Sequence, residues 1–217
     1  MGLAGDGTVQ GEPVLVGGER LGCRVGSGQG RVLEGEGSAA GYAGWLDRVS
    51  LPTRTRVDIS LGYHDQLITL DSRSVHSHDE QAFTTWLDLS FAAAQAEAVA
   101  AALTEALPTS ATTINRRLEQ LTAELNELDI RLQQAGQRLA GTPLLFSHPV
   151  YQYLARRYEL NGRALHWEPD QVPDADEWQA LDELRLEFPA TLILWEDAPL
   201  PAIEAALAER GIQVVVF

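Results

Sequence analysis

Residues 114–140 read INRRLEQLTAELNELDIRLQQAGQRLA and form the most regular run of the chain. The apolar residues of this run recur at alternating spacings of four and three, which places them on one side of an α-helix. They are Ile114, Leu118, Leu121, Leu125, Leu128, Leu132, Ala135 and Leu139. Thr112 or Thr113 can cap the start of this helix, and Gly141 followed by Pro143 ends it. At 1.5 Å per residue, the predicted helix is roughly 40 Å long, which is more than one small lobe requires.

The sequence leaves two interpretations of this helix open. It can be a spine that links an upstream lobe to a downstream lobe, or its apolar seam can pair with a second copy as a coiled coil. A coiled coil requires three or four sustained heptads with charge pairing beside the seam. The pair Glu127–Arg131 has i,i+4 spacing, which already stabilises a single helix. We favour the spine, because the downstream sequence has the pattern of an α/β lobe.

Composition excludes several classes of protein. The 217 residues suffice for one large or two small domains, and 45% of them are apolar. A formal charge of −15 argues against nucleic acid or an anionic membrane as a partner, because both would repel the chain. The single cysteine, Cys23, excludes an internal disulfide and a multi-cysteine zinc cluster. No apolar run approaches the ~20 residues that span a bilayer, and no signal peptide is recognisable in this chain.

Residues 1–40 differ from the rest, because they hold twelve of the nineteen glycines. The segment 26–30, GSGQG, lacks the Lys-Ser/Thr sequence of a phosphate-binding loop and is not placed between a strand and a helix. We therefore predict an irregular, flexible or non-native leader over 1–40. A partial N-terminal lobe is predicted over 41–112, the linking helix over 113–140 and a C-terminal α/β lobe over 141–217.

Within the partial lobe, a short amphipathic helix is predicted over 42–49 and a strand over 56–60. An extended piece follows at 67–70. Asp88 is a good N-cap for an alanine-rich helix over 89–107, which Pro108 ends.

The C-terminal part alternates strands and helices. Strands are predicted at 144–146, 164–167, 191–195 and 212–217. The helices between them are predicted at 149–160, with Pro149 at the first helical position, at 174–186 and at 201–210. Asp174 and Glu177 have the spacing of a capping box. This alternation predicts a parallel sheet with helices on its faces, whose ligands bind at the carboxyl ends of the strands. Ser147 and His148, Glu168, and Glu196 with Asp197 occupy those ends.

Residues 146–158, FSHPVYQYLARRY, resemble the C-lobe signature of the metal-binding receptors of ABC importers for zinc and manganese. The long helix before this motif, the helix start TWLD at 85–88 and the strand end LWE at 194–196 agree with the resemblance, as does the segment 39–47. These receptors are periplasmic proteins with two lobes joined by one long rigid helix. The resemblance implies an α/β fold with two Rossmann-like lobes and a long backbone helix, the N-terminal lobe being incomplete.

In that family the metal lies between the lobes and is held by nitrogen and oxygen ligands, two from each lobe. His148 matches the first ligand of the C-terminal lobe. The second ligand of the N-terminal lobe corresponds to Thr84, whose neutral hydroxyl is a poor zinc ligand. Nothing in 1–40 matches the first histidine loop, and the final carboxylate would fall beyond Phe217.

Other residues can replace the missing ligands. His76 and His78 lie in a polar loop beside Asp79 and Glu80, where two imidazoles can capture zinc; the alternative is an ordinary solvated loop. Glu196 can be a metal ligand or can cap the next helix. We select His148, His78, His76 and Glu196 as the candidate metal ligands. The alternative for His148 is a helix-capping role.

Three further polar or aromatic positions are interpreted structurally. His166 lies inside an extended apolar segment, so a hydrogen-bonded core or interface histidine is expected in preference to a ligand. Tyr151 and Tyr153 are expected to pack the lobe.

The resemblance implies a substrate-binding protein that captures a divalent transition metal, zinc first and manganese second, for an ABC permease in the membrane. It implies a periplasmic location, and we expect a monomer with no nucleic-acid partner and no membrane insertion. The alternative is a truncated, vestigial relative that has lost metal transport. An enzyme is not expected, because no Gly-x-Ser-x-Gly, His-Glu-x-x-His or reactive-cysteine pattern occurs.

Overall fold

The computed structural model describes residues 15–16, 32–34, 56–70, 82–167 and 171–217. The chain divides into two compact units, Met1–Asn126 and Glu127–Phe217. The boundary between them falls inside the longest helix. The finer division into leader, partial lobe, linking helix and C-terminal lobe stays a prediction.

The first unit contains a parallel sheet of three short strands in the order β1-β2-β3. These are β1 (Leu15–Val16), β2 (Val32–Glu34) and β3 (Arg56–Asp58). Two of the strands lie within 1–40, where the sequence predicts an irregular leader. Their partners lie far along the chain, with Val32 paired to Arg56, so a local pattern does not reveal them.

Helix α1 (Leu89–Ala106) follows the N-cap that the sequence predicts. The carboxylate of Asp88 accepts a hydrogen bond from the backbone N–H of Ser90 at 3.0 Å. Tyr63 stacks on Phe91 of this helix, with ring centroids 4.1 Å apart. The helix predicted at 42–49 lies outside the described residues.

Helix α2 (Ala111–Arg138) is the long helix that the periodicity predicts. It begins earlier than expected, because a 3₁₀ turn at Pro108–Ser110 continues directly into it and Ala111 already has helical dihedral angles. Neither Thr112 nor Thr113 is therefore its N-cap, and that prediction is wrong. Beyond its end Gly141 has φ +75°, a left-handed conformation that favours glycine.

The C-terminal third of α2 packs against its own chain. A Cβ atom on Gly136 would lie 2.2 Å from the carbonyl oxygen of Tyr158, so the backbone of α2 touches the segment that follows the next helix. Asp129 lies on the same face of α2 as Gly136. Its carboxylate accepts hydrogen bonds from Arg157 and Tyr158. A coiled-coil partner would have to occupy the surface around Asp129 and Gly136, beside the apolar seam of α2. Because the segment around Tyr158 already covers that surface, the packing favours the spine interpretation.

The second unit contains a parallel four-stranded sheet in the order β5-β4-β6-β7. Its strands are β4 (Leu144–Phe146), β5 (Gly162–Ala164), β6 (Leu192–Trp195) and β7 (Gln213–Val216). Helices α3 (Gln152–Arg157), α4 (Ala175–Glu187) and α5 (Pro201–Glu209) connect them. The predicted α/β class with a parallel sheet is confirmed.

Strand β5 and helix α3 differ most from their predicted bounds. Strand β5 lies at Gly162–Ala164 instead of 164–167, because Gly162 lets the chain approach the ring of Phe146; a Cβ there would lie 2.2 Å from the ring. Helix α3 begins at Gln152 instead of 149, because residues 147–150 form turns in which the N–H of Val150 bonds to the carbonyl of His148 at 2.9 Å.

The second unit buries side chains on both faces of this sheet, because the consecutive residues Leu144, Leu145 and Phe146 of β4 are all buried. One core cluster contains the fully buried side chains of Leu145, Leu181, Ile193, Trp195, Ile203 and Leu207. Burial of each aliphatic side chain contributes about 1.5–3 kcal/mol. The predicted capping box at the start of α4 is confirmed, since Asp174 and Glu177 exchange hydrogen bonds of 2.8 and 2.9 Å. Among the residues that the structure describes, no helix has the length and apolarity needed to cross a membrane.

Candidate metal site

The candidate site lies at the carboxyl ends of β4 and β6, which are neighbours in the sheet. Phe146 pairs with Leu194, and the N–H of Ser147 donates to the carbonyl of Leu194 at 2.9 Å. His148 lies two residues beyond the paired Phe146, and Glu196 lies two residues beyond the paired Leu194, so both follow the carboxyl ends of neighbouring strands.

Buried polar atoms without a hydrogen-bond partner gather at these strand ends. They are Ser147 Oγ, His148 Nδ1, Tyr151 OH, Gln152 Oε1, Trp195 Nε1 and Glu196 Oε1. In the described part of the chain, the other such atom is Thr104 Oγ1 in α1. An unpaired buried polar group costs about 1–3 kcal/mol, and native proteins pair nearly all of them. Their concentration at one edge of the sheet indicates a place where a ligand or ordered water completes the bonding.

The ring of Tyr151 packs against aromatic residues at the ends of two strands. This ring lies 5.1 Å from that of Phe146 and 5.6 Å from that of Phe217, measured between centroids. Burial raises the pKa of the Tyr151 hydroxyl, and the negative charge of Glu196 raises it further. The phenol therefore stays protonated at neutral pH and remains a hydrogen-bond donor close to a carboxylate.

The backbone immediately after Glu196 is strained. Asp197 has φ +144°, a conformation that a residue with a side chain rarely adopts and that costs about 1–3 kcal/mol. The Asp197 carboxylate accepts a hydrogen bond from the N–H of Ala198 at 2.7 Å, which holds this turn. Strain of this kind concentrates at ligand-binding sites.

Neither His148 nor Glu196 caps a helix, so those alternatives are wrong. The N-cap residue of α3 is Tyr151 and that of α5 is Leu200, and neither helix has a side-chain cap hydrogen bond. Both candidate side chains are partly buried, and Nδ1 of His148 and Oε1 of Glu196 remain unpaired. Imidazole nitrogen and carboxylate oxygen are both zinc ligands.

The two strand ends supply only part of a metal site. Zinc sites use three or four protein ligands. Across the described ranges, no three His, Cys, Asp or Glu side chains are grouped so that they could hold an ion. His76 and His78 lie outside the described residues, as does Glu168, so their contribution as ligands stays a prediction. Thr84 is described, and only 6% of its surface is exposed.

The other sequence interpretations have different outcomes. His166 is exposed, so a buried core position is wrong; β5 ends at Ala164, and His166 follows the strand instead of lying within it. Tyr151 and Tyr153 are buried, which confirms that they pack the lobe. Sequence reasoning missed the unpaired polar atoms of Tyr151 and Gln152. Their spacing of three and four residues from His148 was the signal available.

The chain is similar to one family of known sequences. The sequence profile of the family described as ZnuA, zinc-uptake complex component A, periplasmic, matches residues 37–216. No curated protein sequence matches the chain.

Several solved structures are similar to this fold. The metal-dependent lipoprotein YcdH from Bacillus subtilis has a TM-score of 0.69 and 18% identity, covering 86% of this chain and 67% of that one. A ZnuA crystal structure has a TM-score of 0.64 and 22% identity, covering 86% and 71%. Zn(II)-bound AdcA from Streptococcus pneumoniae has a TM-score of 0.66 and 20% identity, covering 86% and 39%. At these identities the likeness concerns the fold.

Proposed function

The chain belongs to the family of periplasmic zinc-uptake components, and we propose that it captures a divalent transition metal ion and delivers it to an ABC permease. We propose zinc as the cargo and manganese as the alternative. Nitrogen and oxygen donors suit zinc, whereas manganese favours a larger share of oxygen ligands. The proposed role is binding and release, with no covalent step, in the periplasm and as a monomer.

One observation carries this proposal for the chain itself. His148 and Glu196 follow the carboxyl ends of neighbouring strands, and each has a buried polar atom that no group of the described protein satisfies. A cation bonded to the imidazole and the carboxylate would offset the cost of burying these groups. We propose these two side chains as ligands and His76 and His78 as the further ligands.

A second candidate function is a vestigial receptor that has lost transport. It is favoured by Thr84, which stands where the family resemblance expects a ligand, and by the absence of a complete ligand group among the described residues. Metal affinity separates the two candidates, because a vestigial chain keeps the fold without tight binding.

Titration calorimetry with zinc tests the proposal on the purified chain. We expect binding well below about 1 mM, and a loss of at least about 10-fold in affinity for His148→Ala and for Glu196→Gln. His166→Ala is the matched control, because His166 is an exposed histidine of the same unit outside the strand-end cluster. Wild-type binding no tighter than millimolar would contradict the receptor function and support the vestigial one.

Replacing His76 and His78 together by alanine tests the proposed further ligands. A comparable fall in zinc affinity is expected because fewer donors would surround the ion. Unchanged affinity would show that the polar loop does not contribute.

A further inference from the structure

Asp129 of α2 is the centre of a hydrogen-bond network in the second unit. Arg157 donates to it from Nε at 3.0 Å and from Nη2 at 2.6 Å. The hydroxyl of Tyr158 donates to the same carboxylate at 2.9 Å, and Gln133 donates to it at 2.8 Å. A carboxylate gripped through both oxygens by one guanidinium is among the stronger and more directional contacts in proteins.

This network is more than a surface ion pair. The side chains of Asp129 and Arg157 are 14% and 27% exposed, so solvent screens them incompletely. The hydrogen bond from Arg157 lowers the pKa of Asp129 despite the opposing effect of burial. Two turns along α2, Gly136 touches the carbonyl of Tyr158. The C-terminal end of α3 is therefore held against α2 at two places.

The other end of α3 touches the candidate metal site. Gln152, its first residue, donates from Nε2 to the carbonyl of Pro149 at 2.5 Å. The N–H of Val150 donates to the carbonyl of His148 at 2.9 Å. Helix α3 has six residues and is therefore only about 9 Å long, so fixing its far end also fixes the loop that carries His148.

The loop itself offers few side-chain bonds that would hold it. Ser147 Oγ, His148 Nδ1 and Tyr151 OH are all buried without a partner. Among the contacts that the structure describes, the strand attachment and α3 therefore position the His148 backbone.

We propose that Asp129 is a positioning residue for the metal site: it holds α3 against α2 and, through Gln152 and Pro149, sets the place of His148. This inference rests on the proposed function for its meaning, since a correctly placed imidazole matters only if it binds an ion. Groups that orient metal ligands without touching the metal typically change affinity by 10- to 100-fold.

The test compares Asp129→Asn with Asp182→Asn in the full-length chain. Asp182 pairs with Arg210 at 3.1 Å in the same unit, so its variant also breaks an arginine–carboxylate pair, but between α4 and the residue that follows α5. We expect Asp129→Asn to weaken zinc binding by about 10-fold and to alter the visible absorption of bound cobalt(II). We expect Asp182→Asn to keep wild-type affinity and absorption even where it lowers the melting temperature.

Amide hydrogen exchange in the metal-free protein gives a readout that does not depend on the ion. Exchange at Val150 is expected to quicken in Asp129→Asn and to stay unchanged in Asp182→Asn. Unchanged Val150 exchange in Asp129→Asn overturns the inference, as does zinc affinity equal to that of the Asp182 variant. If the wild-type chain binds no zinc, the proposed function fails, while exchange at Val150 still decides whether Asp129 holds the loop.

If Asp129→Asn does not fold, Tyr158→Phe replaces it. This variant removes one hydrogen bond to Asp129 and leaves the unpaired polar atoms at the strand ends in place. Quicker exchange at Val150 together with reduced zinc affinity supports transmission through α3, and wild-type values of both overturn it.

Discussion

The hydroxyls of the buried residues Tyr151 and Tyr158 differ in their hydrogen bonding. Tyr158 donates to Asp129 at 2.9 Å, whereas Tyr151 OH has no partner among the described residues although it is buried beside Glu196. The first hydroxyl stabilises the fold, and the second costs stability in the metal-free protein. Retaining an unpaired polar group is typical of a site shaped for a ligand.

Tyr151→Phe and Tyr158→Phe are therefore expected to change stability differently. Loss of the Tyr158 bond should lower the free energy of unfolding by about 1 kcal/mol, whereas loss of the unpaired Tyr151 hydroxyl should leave it unchanged or raise it. Urea denaturation of the metal-free variants measures both effects. A loss for Tyr151→Phe as large as that for Tyr158→Phe would show that its hydroxyl is bonded in solution.

The Asp129 network should make stability depend on pH in the acid range. The folded-state pKa of Asp129 is lowered from the ordinary value of 3.8, first by the hydrogen bond from Arg157. Its contribution is therefore fully present above that value and is lost as the pH falls through the lowered folded-state pKa. The difference in unfolding free energy between wild type and Asp129→Asn, measured in urea from pH 7 to pH 2.5, should be constant above about pH 5 and shrink below it. A difference that stays constant throughout would contradict this assignment.

Helices α2 and α3 show that close backbone contact can outweigh helix propensity. Gly136 lies inside a helix, where alanine is intrinsically more stable by about 1 kcal/mol. Its neighbour, however, is the carbonyl of Tyr158, a backbone group that cannot rotate away. The glycine is therefore required by the approach of the segment that follows α3.

Gly136→Ala is expected to destabilise the protein by about 1–3 kcal/mol, because a Cβ would meet the Tyr158 carbonyl oxygen at 2.2 Å. Gln137→Ala, at the next and exposed position of the same helix, is the matched control and should change stability by less than about 0.5 kcal/mol. Chemical denaturation measures both. A stabilising Gly136→Ala would show that α2 and α3 are not in contact there.

The charge and composition of the whole molecule suit a cation ligand. The net charge of −15 attracts cations and repels anionic polymers, although charge alone does not select a metal. Selection requires specific donors, and the described part of the second unit offers an imidazole and a carboxylate at adjoining strand ends. Each unit also contains a parallel sheet, as the family fold requires.

Zinc should therefore stabilise the whole chain against heat. A ligand at 100 times its dissociation constant adds about 2.7 kcal/mol to the free energy of unfolding. Differential scanning calorimetry should show a higher melting temperature with zinc, and a much smaller rise for His148→Ala. Magnesium is the control ion, because it prefers oxygen ligands and should not distinguish the two proteins. An equal zinc-induced rise in the melting temperatures of wild type and His148→Ala would show that His148 is not a ligand.

The sequence by itself determined the features that depend on neighbours a few residues apart. The spacing of leucines predicted α2, and Asp88 and the Asp174–Glu177 pair predicted two helix starts. Alternation of strands and helices predicted the parallel sheet, and with it the placement of His148 and Glu196 at strand ends. Helix periodicity and capping are short-range effects, so one stretch of chain contains the whole signal.

Only the tertiary structure decided what depends on distant contacts. In the structure α3 is shorter than predicted, β5 lies at Gly162–Ala164 and His166 is exposed. The tertiary structure also left Tyr151 OH without a partner among the described residues and joined Asp129 to Arg157. Strand register, burial and side-chain pairing are set by groups that meet only after folding, and no local pattern records which groups those are.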